Sequence, residues 1–400
     1  MVAADLPIGD RIRHYRGGRR QDAVAGLVGI SPDYLSQIER GLKVPSLPIL
    51  YALAQELGVP TAALLSEQPP AEEEASDTAE AAVGRALLGY GPAFKAGPAT
   101  AAVLRDRVEA AWQSWQTARD RFTQAAHTLP GLVADVDHAA RAARAGADPV
   151  ERRAVLRVAS DLYCLLRSYL RRTGRVDLAT IAADRAMRGA EDADDPLRVA
   201  AAQWNLGHVL LAAGRPGEAE DLALRAVEQV AVAQMPEMER QAMGGALQLV
   251  AVLGATRRRR WWEARDRLVQ HAAPAARQVP DDSNIRWTVF GPTNIALHAL
   301  SIEMEAGETG EALHTADATD ISGLPSVERE FTFGLEVAAC HGQRRDDAAV
   351  LLSLLGLEAI APEDLARTPL ARQLVLTTIR RSRATHARQA EQLAVRMGLV

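Results

Sequence analysis

The sequence has few of the features that mark a secreted or membrane protein. Of its 400 residues only two are cysteines, Cys164 and Cys340, and aromatic residues make up 4%. Two cysteines cannot build a disulfide framework, and both lie in helical patterns beside apolar residues, so we expect buried free thiols. No signal-peptide pattern is present and no apolar run approaches about 18 residues. We therefore expect a cytoplasmic protein that does not associate with membranes.

Recognisable catalytic motifs are also missing. The sequence contains no glycine-rich nucleotide-binding loop, no HExxH, no CxxC and no nucleophile elbow. Acidic residues cluster at 192–195 and at 281–282, but neither cluster has the spacing of a calcium loop, and both suit helix-capping turns. We therefore expect no catalytic residues, no enzyme activity, no cofactor and no metal site.

Lysine is nearly absent, since Lys43 and Lys95 are the only two. The net charge of −5 excludes a protein that coats nucleic acid through its overall charge. Alanine, leucine and arginine dominate and no strand-like alternation appears, so we predict an all-α protein with two or three domains. Five arginines within ten residues form a local basic patch, which either contacts DNA phosphates or is a solvated face. They are Arg11, Arg13, Arg16, Arg19 and Arg20.

Residues 21–41 predict two short helices joined by a tight turn, because apolar residues recur at helical spacing on both sides of it. Gly29 stands where the first helix must end, since glycine tolerates positive φ. Ser31 can cap the second helix through its hydroxyl, Pro32 suits the first helical position, and Gly41 closes that helix. A short helix with a polar outer face after a rigid turn fits a DNA major groove.

Several motifs follow one another between residues 8 and 65. They are Ile8-Gly9, Gln21-x-x-x-Ala25, Gly29-Ile30-Ser31, the run from Tyr34 to Gly41, and Leu53-Ala54-x-x-Leu57-Gly58-Val59. This series resembles the helix-turn-helix domain of phage-repressor (Cro/C1-type, or XRE) regulators. The resemblance implies a five-helix domain, here residues 1–66, that binds a double-stranded DNA operator. Arg19 and Arg20 depart from the family pattern, and Arg20 replaces a hydroxyl residue that would cap the helix.

The resemblance also places the residues that would contact DNA. Base contacts are expected from Pro32, Asp33, Ser36 and Gln37. Gln37 is the strongest candidate because its amide offers a donor and an acceptor to adenine. Phosphate contacts are expected from Arg19, Arg20, Gln21, Tyr34, Arg40 and Lys43. We expect Glu39 to be structural and to pair with an arginine of the first helix such as Arg13.

The rest of the chain divides into a linker and a helical body. Residues 67–82 are acidic, contain proline and have few apolar residues, which predicts a linker that enters a helix near Ala79. Residues 83–400 alternate helical patterns with short turns marked by glycine or proline. One long helix is predicted from about residue 100 to 126, with Trp112 and Trp115 as core or interface anchors.

A repeat is visible within the body. Trp204, Gly207, Gly214 and Ala219 have the spacing of a tetratricopeptide repeat, in which a glycine turn joins two helices. The small residues Gly207 and Ala219 are expected where the two helices of the pair cross. Weaker copies follow at irregular intervals. Together with Trp112-x-x-Trp115 and Leu129-Pro130-Gly131-Leu132, these motifs resemble, over nearly the whole chain, actinobacterial-type regulators with a repressor-type headpiece and a C-terminal tetratricopeptide-like solenoid.

The concave face of such an array is the expected ligand surface. Candidate groove residues lie on two helical segments and could bond a peptide backbone or stack on a flat ligand. They are Asn205, His208, Asn284, Arg286, Trp287, Asn294 and His298. A structural alternative stays open, because Asn294 and His298 lie four residues apart and can simply bond each other or a neighbouring helix.

These observations predict a sequence-specific transcriptional regulator that binds DNA as a homodimer. Its affinity for DNA would respond to a small-molecule or short-peptide effector in the helical body. In the alternative, DNA binding is constitutive and the body recruits a partner protein. Both possibilities share every DNA-facing residue, so the residues themselves do not separate them.

Overall fold

The computed structural model describes residues 8–59, 61, 64, 79–90 and 98–399. Every regular element among these residues is helical, so the predicted all-α class is confirmed. The chain forms two compact units, Met1–Thr78 and Ala79–Val400, which we call the headpiece and the body. Most of the predicted linker, residues 67–78, lies outside the described residues, and the domain boundaries at 66 and 82 stay predictions.

The headpiece contains four described helices, α1 (Ile8–Arg16), α2 (Gln21–Val28), α3 (Pro32–Glu39) and α4 (Leu47–Leu57). The fifth predicted helix would follow α4, where most residues lie outside the described ones. The headpiece core includes Ile12, Val24, Leu35 and Leu53, all completely buried. Helices α1 and α3 approach closely at Gly9, where a Cβ atom would lie 2.3 Å from the carbonyl oxygen of Ile38. Glycine at this position therefore lets α3 dock against α1.

The body is built from consecutive helices joined mostly by short turns. They are α5 (Ala79–Leu87), α6 (Ala101–Thr117), α7 (Arg121–Ala145), α8 (Pro149–Arg172), α9 (Val176–Asp192), α10 (Pro196–Ala212), α11 (Pro216–Val232), α12 (Glu237–Arg257), α13 (Trp261–Arg267), α14 (Ala273–Ala276), α15 (Pro292–Ala306), α16 (Thr309–Asp317), α17 (Val327–Gln343), α18 (Asp347–Ile360), α19 (Pro362–Arg367), α20 (Pro369–Arg381) and α21 (Ala384–Arg396). A π-helical turn, Leu268–Ala272, joins α13 to α14, and a 3-10 turn spans Ile285–Trp287.

Neighbouring helices in this series pack against each other, most extensively α8 with α9 and α11 with α12. Helix α8 is buried on nearly all sides from Val155 to Leu170. The predicted close approach at Gly207 exists, but its partner is different: a Cβ there would lie 2.7 Å from Val250 of α12. Gly207 therefore lets α10 pack against α12, the next helix but one, whereas Ala219 is buried in the core.

The single long helix predicted for residues 100–126 is wrong. Helix α6 ends at Thr117, the backbone at Ala118 is extended (φ −81°, ψ 139°), and α7 begins at Arg121. The apolar spacing continues through this break because Trp115 and Phe122 pack edge-on, with ring centroids 5.1 Å apart. Both rings also contact Tyr169 of α8, so the break places two aromatic residues around one buried ring.

The two cysteines and the two tryptophans of α6 are buried in the body. Cys164 and Cys340 are buried free thiols, as predicted. Trp112 and Trp115 are buried as expected for core anchors. Within the described ranges, no helix combines the length and apolar character needed to cross a bilayer.

Candidate functional site

The turn between α2 and α3 has the geometry that its residues predict. Gly29 ends α2 in the left-handed conformation (φ 76°, ψ 26°). The hydroxyl oxygen of Ser31 accepts a hydrogen bond from the backbone N–H of Tyr34 at 3.1 Å, and Pro32 occupies the first turn of α3. Arg20 precedes α2 without a side-chain cap, as expected from its departure from the family pattern. This short, capped turn fixes the orientation of α3 relative to α2, and the outer face of α3 faces solvent.

The outer face of α3 carries the four residues predicted to contact bases. Pro32 and Asp33 are exposed, whereas Ser36 and Gln37 are half-buried. Gln37 Nε2 donates a hydrogen bond to Asp33 Oδ2 at 2.7 Å. This bond positions the Gln37 amide along the helix and leaves its carbonyl oxygen and second N–H for a base edge. The four side chains thus form one polar surface, and their contacts to bases stay predictions.

Cationic and polar residues flank this surface. Arg40 is exposed just beyond α3, and its Nε donates to the carbonyl oxygen of Ser36 at 3.3 Å. The ammonium of Lys43 lies over the ring of Tyr34, 5.2 Å from the centroid. These positions suit phosphate contacts at one end of the helix.

The arginines before α2 are already engaged with acidic residues. Arg20 forms an exposed ion pair with Asp22 at 2.6 Å, and Arg19 pairs with Glu56 and donates to its carbonyl oxygen at 2.8 Å. Arg11 is buried and cannot belong to an exposed basic patch. The predicted five-arginine patch is therefore smaller than the composition implies, because folding places one member inside and pairs others.

Glu39 joins three helices of the headpiece. Its side chain is almost completely buried and accepts two hydrogen bonds from Arg16, at 2.7 and 3.0 Å, and one from the amide of Gln21 at 2.7 Å. The structural role predicted for Glu39 is therefore correct, but its partner is Arg16 and not Arg13. Gln21 uses one amide N–H in this cluster, so a phosphate would be met by its second N–H or by the N-terminus of α2.

One protein family matches the part of the chain that contains the turn between α2 and α3. Residues 7–67 match a protein family described as "Helix-turn-helix domain". The match covers the headpiece, which therefore carries a helix-turn-helix domain. No curated protein sequence matches the chain. A solved structure, "Crystal Structure of Bacillus thuringiensis PlcR in complex with the peptide PapR7 and DNA", shares 10% identity and a TM-score of 0.31 over 86% of this chain and 98% of that one.

The body contains a cavity of about 770 Å³ that is partly open to solvent. Its wall comes mainly from every second helix of the series, namely α6, α8, α10 and α12, and then from α15 and α17. Five of the six tryptophans in the sequence line it: Trp112, Trp115, Trp204, Trp261 and Trp287. Trp112 and Trp287 stack with ring centroids 5.5 Å apart and planes 4° from parallel. This volume and its aromatic wall suit a small organic ligand.

Most of the charged residues that line the same cavity are cationic. Six arginines and three glutamates line it: Arg167, Arg171, Arg172, Arg257, Arg259, Arg329, Glu305, Glu328 and Glu336. Burial lowers the pKa of Arg167 to about 10 and that of Arg171 to about 9, so both are still cationic at neutral pH. Burial and the nearby arginines hold the pKa of His208 well below its usual range. The positive charge of the site therefore comes from arginine alone.

The seven predicted groove residues separate into three groups. His208, Trp287 and His298 line the cavity. Asn284 and Arg286 lie beside it: Asn284 Nδ2 donates to Gln116 Oε1 at 2.5 Å, and Arg286 pairs with Asp161. Asn205 and Asn294 are buried outside the cavity lining, where Asn205 accepts from Arg167 and donates to the Ala201 carbonyl oxygen at 2.7 Å.

His298 and Asn294 are bonded to each other, as the structural alternative proposed. His298 Nδ1 lies 2.8 Å from the backbone oxygen of Asn294 within α15. Burial lowers the pKa of His298 to about 3, so the ring is neutral. One nitrogen is thus used inside the helix, and the ring faces the cavity as an aromatic surface. Ligand contact by the seven residues stays a prediction.

The segment 284–289 holds Trp287 in a strained backbone. Asn284, Arg286, Trp287 and Val289 all have positive φ, at 40°, 51°, 62° and 54°. Such a conformation costs about 1–2 kcal/mol for a residue with a Cβ, and more for a β-branched one. Hydrogen bonds compensate: Val289 N–H donates to Asn284 Oδ1 at 3.1 Å, and the Trp287 carbonyl oxygen accepts from Gln116 at 3.1 Å. These two hydrogen bonds stabilise the strained backbone that places Trp287 at the cavity wall.

Arg167, Arg171 and Arg329 were not predicted from the sequence as residues of the cavity. Arg167 and Arg171 lie four residues apart on α8 within a long apolar run, a pattern of charge inside a buried helix that is detectable in retrospect. The stacking of Trp112 on Trp287 gave no such signal, because 175 positions separate the two residues in the sequence and only the packing of the body brings them together.

Proposed function

We propose that this protein is a sequence-specific transcriptional regulator that reads operator DNA with helix α3. The observation that carries the proposal is the outer face of α3, a helix capped by Ser31 in a helix-turn-helix domain, on which Pro32 and Asp33 are exposed and Ser36 and Gln37 half-buried. Residues 8–59 contain seven arginines or lysines and five acidic residues, a net charge of +2 within a chain of −5. The cationic excess is thus local to the headpiece, where phosphates would be met.

A homodimer is the form in which we expect this domain to bind. One headpiece offers too few base contacts for tight binding, and two related by a two-fold axis would bind a near-palindromic site. The half-sites would lie about one DNA turn apart, roughly 34 Å, or a multiple of that distance. A gel-shift series in which the half-site spacing is varied tests this, and affinity that is indifferent to spacing would contradict the dimer.

The body supplies the regulatory part of the proposal. A cavity lined by five tryptophans and a strained segment is suited to a ligand whose binding changes the relative stability of two conformations. A ligand changes DNA affinity only to the extent that it binds those two conformations differently. If a stoichiometric partner protein copurifies and no ligand alters operator affinity, the body recruits a partner and DNA binding is constitutive.

The central experiment is operator identification followed by substitution on α3. Genomic fragments bound by the full-length protein are sequenced, and affinity for the enriched site is compared with that for a random duplex. Gln37→Ala should weaken operator binding by about 1–3 kcal/mol and relax selectivity at one base pair. Gln55→Ala, on the exposed surface of α4, is the matched control. Equal affinity of the wild-type protein for random and enriched DNA would overturn the proposal.

A further inference from the structure

The most unusual feature of the body is a cluster of arginines in the wall of the cavity that the tryptophans line. Arg167 is 2% exposed. Its guanidinium donates to the neutral side chain of Asn205 and lies over the ring of Trp204, 5.5 Å from the centroid. Within the described residues its Nε has no hydrogen-bond acceptor, and neither has the Nε of Arg171. A buried charged donor without an acceptor is costly, so such a donor marks a place where an acceptor would bind favourably.

The acidic residues of the cavity do not neutralise this cluster. The Glu328 carboxylate forms ion pairs with three arginines. Its oxygens lie 3.3 Å from Arg121 Nη1 and 3.5 Å from Arg171 Nη2, and it forms a closer pair with Arg172. Arg121 is completely buried and is also held by Asp364. One carboxylate is thus divided among several cations.

The other two glutamates of the cavity do not neutralise its excess of positive charge either. Glu305 pairs with Arg257 at 3.4 Å. Glu336 accepts a hydrogen bond from Ser301, and burial together with Glu305 raises its pKa to about 7, so it carries only part of a negative charge near neutral pH. The Arg329 guanidinium makes no hydrogen bond or ion pair within the described part of the chain, and only its backbone N–H is bonded, to the Ser326 carbonyl oxygen at 3.1 Å. Positive charge therefore remains at Arg167, Arg171 and Arg329, and each of these lowers the pKa of His208.

We propose that the cavity binds a small aromatic anion, with its carboxylate, phosphate or sulfonate group at Arg167, Arg171 and Arg329 and its flat apolar part against the tryptophans. The inference rests on the proposed function, in which this cavity holds the effector, and adds the chemical class of that effector. Guanidinium groups are suited to such oxyanions because they donate two parallel hydrogen bonds. The volume of about 770 Å³ suits a drug-sized molecule.

The test uses two dyes that differ in one charged group. The anionic dye is 8-anilinonaphthalene-1-sulfonate, and the neutral dye is N-phenyl-1-naphthylamine, which has the same rings without the sulfonate. Binding to the full-length protein is followed by dye fluorescence and by quenching of tryptophan emission. We expect the anionic dye to bind at least about tenfold more tightly than the neutral one, with an affinity that falls as salt is added.

Substitutions then locate the anionic group. Arg329→Met and, separately, Arg167→Met should weaken binding of the sulfonate dye about tenfold or more and change binding of the neutral dye less than about twofold. Arg225→Met, at an exposed arginine of α11 outside the cavity, should change neither. Far-UV circular dichroism and cooperative urea unfolding identify a variant that fails to fold. Because Arg167 is buried and Arg329 only half-buried, Arg329→Met keeps the test decisive if Arg167→Met unfolds.

The outcomes separate this inference from the proposed function. Equal binding of the two dyes, or sulfonate binding that both cavity variants leave unchanged, would overturn the anion site. Selective sulfonate binding that is lost in Arg329→Met supports it. Operator affinity is then measured with and without the sulfonate dye: an effect that disappears in Arg329→Met supports regulation through this site. Anion binding without any effect of the dye on operator affinity contradicts regulation and retains the site.

Discussion

Replacement of Glu39 by alanine tests how the headpiece holds its recognition helix. Glu39 is 5% exposed and accepts three hydrogen bonds from α1 and α2, two from Arg16 at 2.7 and 3.0 Å and one from Gln21 at 2.7 Å. A hydrogen bond to a charged group contributes about 1.5–3 kcal/mol, and breaking a fully buried pair costs about 3–5 kcal/mol. The Arg16 side chain is 15% exposed and can be hydrated after the substitution, so we expect Glu39→Ala to lower the free energy of unfolding of the headpiece by about 2–3 kcal/mol.

The distribution of tryptophan provides an internal control for this measurement. All six tryptophans lie at position 112 or beyond, so tryptophan emission reports on the body alone. Far-UV circular dichroism reports on the helices of both units. In urea titrations of the full-length Glu39→Ala protein, a fraction of the dichroism signal should be lost at lower urea, while the tryptophan transition stays where it is in the wild type.

A double-mutant cycle identifies the partner. Arg16→Ala and the double variant should give a coupling free energy of about 1–3 kcal/mol, and the same cycle with Arg13 should give nearly zero. The reasoning is refuted if the dichroism transition of Glu39→Ala stays within about 0.5 kcal/mol of the wild type, or if the tryptophan transition shifts equally.

Three further predictions concern the body. Burial raises the pKa of Glu336 to about 7 from its ordinary 4.5, so the folded state favours the protonated carboxyl group and loses stability as pH rises between these values. Glutamine cannot ionise and removes this loss. In urea titrations, Glu336→Gln should therefore raise the free energy of unfolding by about 3 kcal/mol at pH 8 but by only about 1 kcal/mol at pH 5. A Cβ at Gly245 would lie 1.9 Å from Phe290 Cζ, so Gly245→Ala should destabilise the body by about 1–3 kcal/mol in unfolding followed by tryptophan emission. Gly244→Ala is the control: a Cβ there would lie 3.9 Å from its nearest neighbour, and the substitution should be neutral or stabilising. Equal effects of the two substitutions would contradict the packing. Burial raises the pKa of Cys164 to about 12, so this thiol should react with Ellman's reagent only after unfolding, and rapid labelling of the native protein would show that it is accessible.

The headpiece was predictable because its chemistry is local. The left-handed Gly29, the Ser31 cap and the position of Pro32 each depend on residues within three or four positions, and each is confirmed. The partner of Glu39 was not predictable in the same way. Arg13 and Arg16 are both on α1, and only the angle at which α1 meets α3 brings Arg16 to the carboxylate.

The break between α6 and α7 shows the limit of periodicity. The apolar spacing from Trp112 through Phe122 fits one continuous helix, and nothing in the spacing itself marks an end at Thr117. The break is favoured because Trp115 and Phe122 can then surround Tyr169, which lies 47 positions beyond Phe122 in the chain. Long-range packing thus decided between two outcomes, a continuous helix and a broken one, that the local apolar spacing alone did not distinguish.

What the amino-acid order settled unaided is the helical class and the capped turn of a helix-turn-helix domain, because caps, turns and helical faces are formed by near neighbours. Tertiary structure decided the cavity, whose lining extends from Trp112 to Leu370. It also decided which arginines have an acid beside them and which do not. Those properties depend on distances across several helices, and a pattern read along the chain contains no such distances.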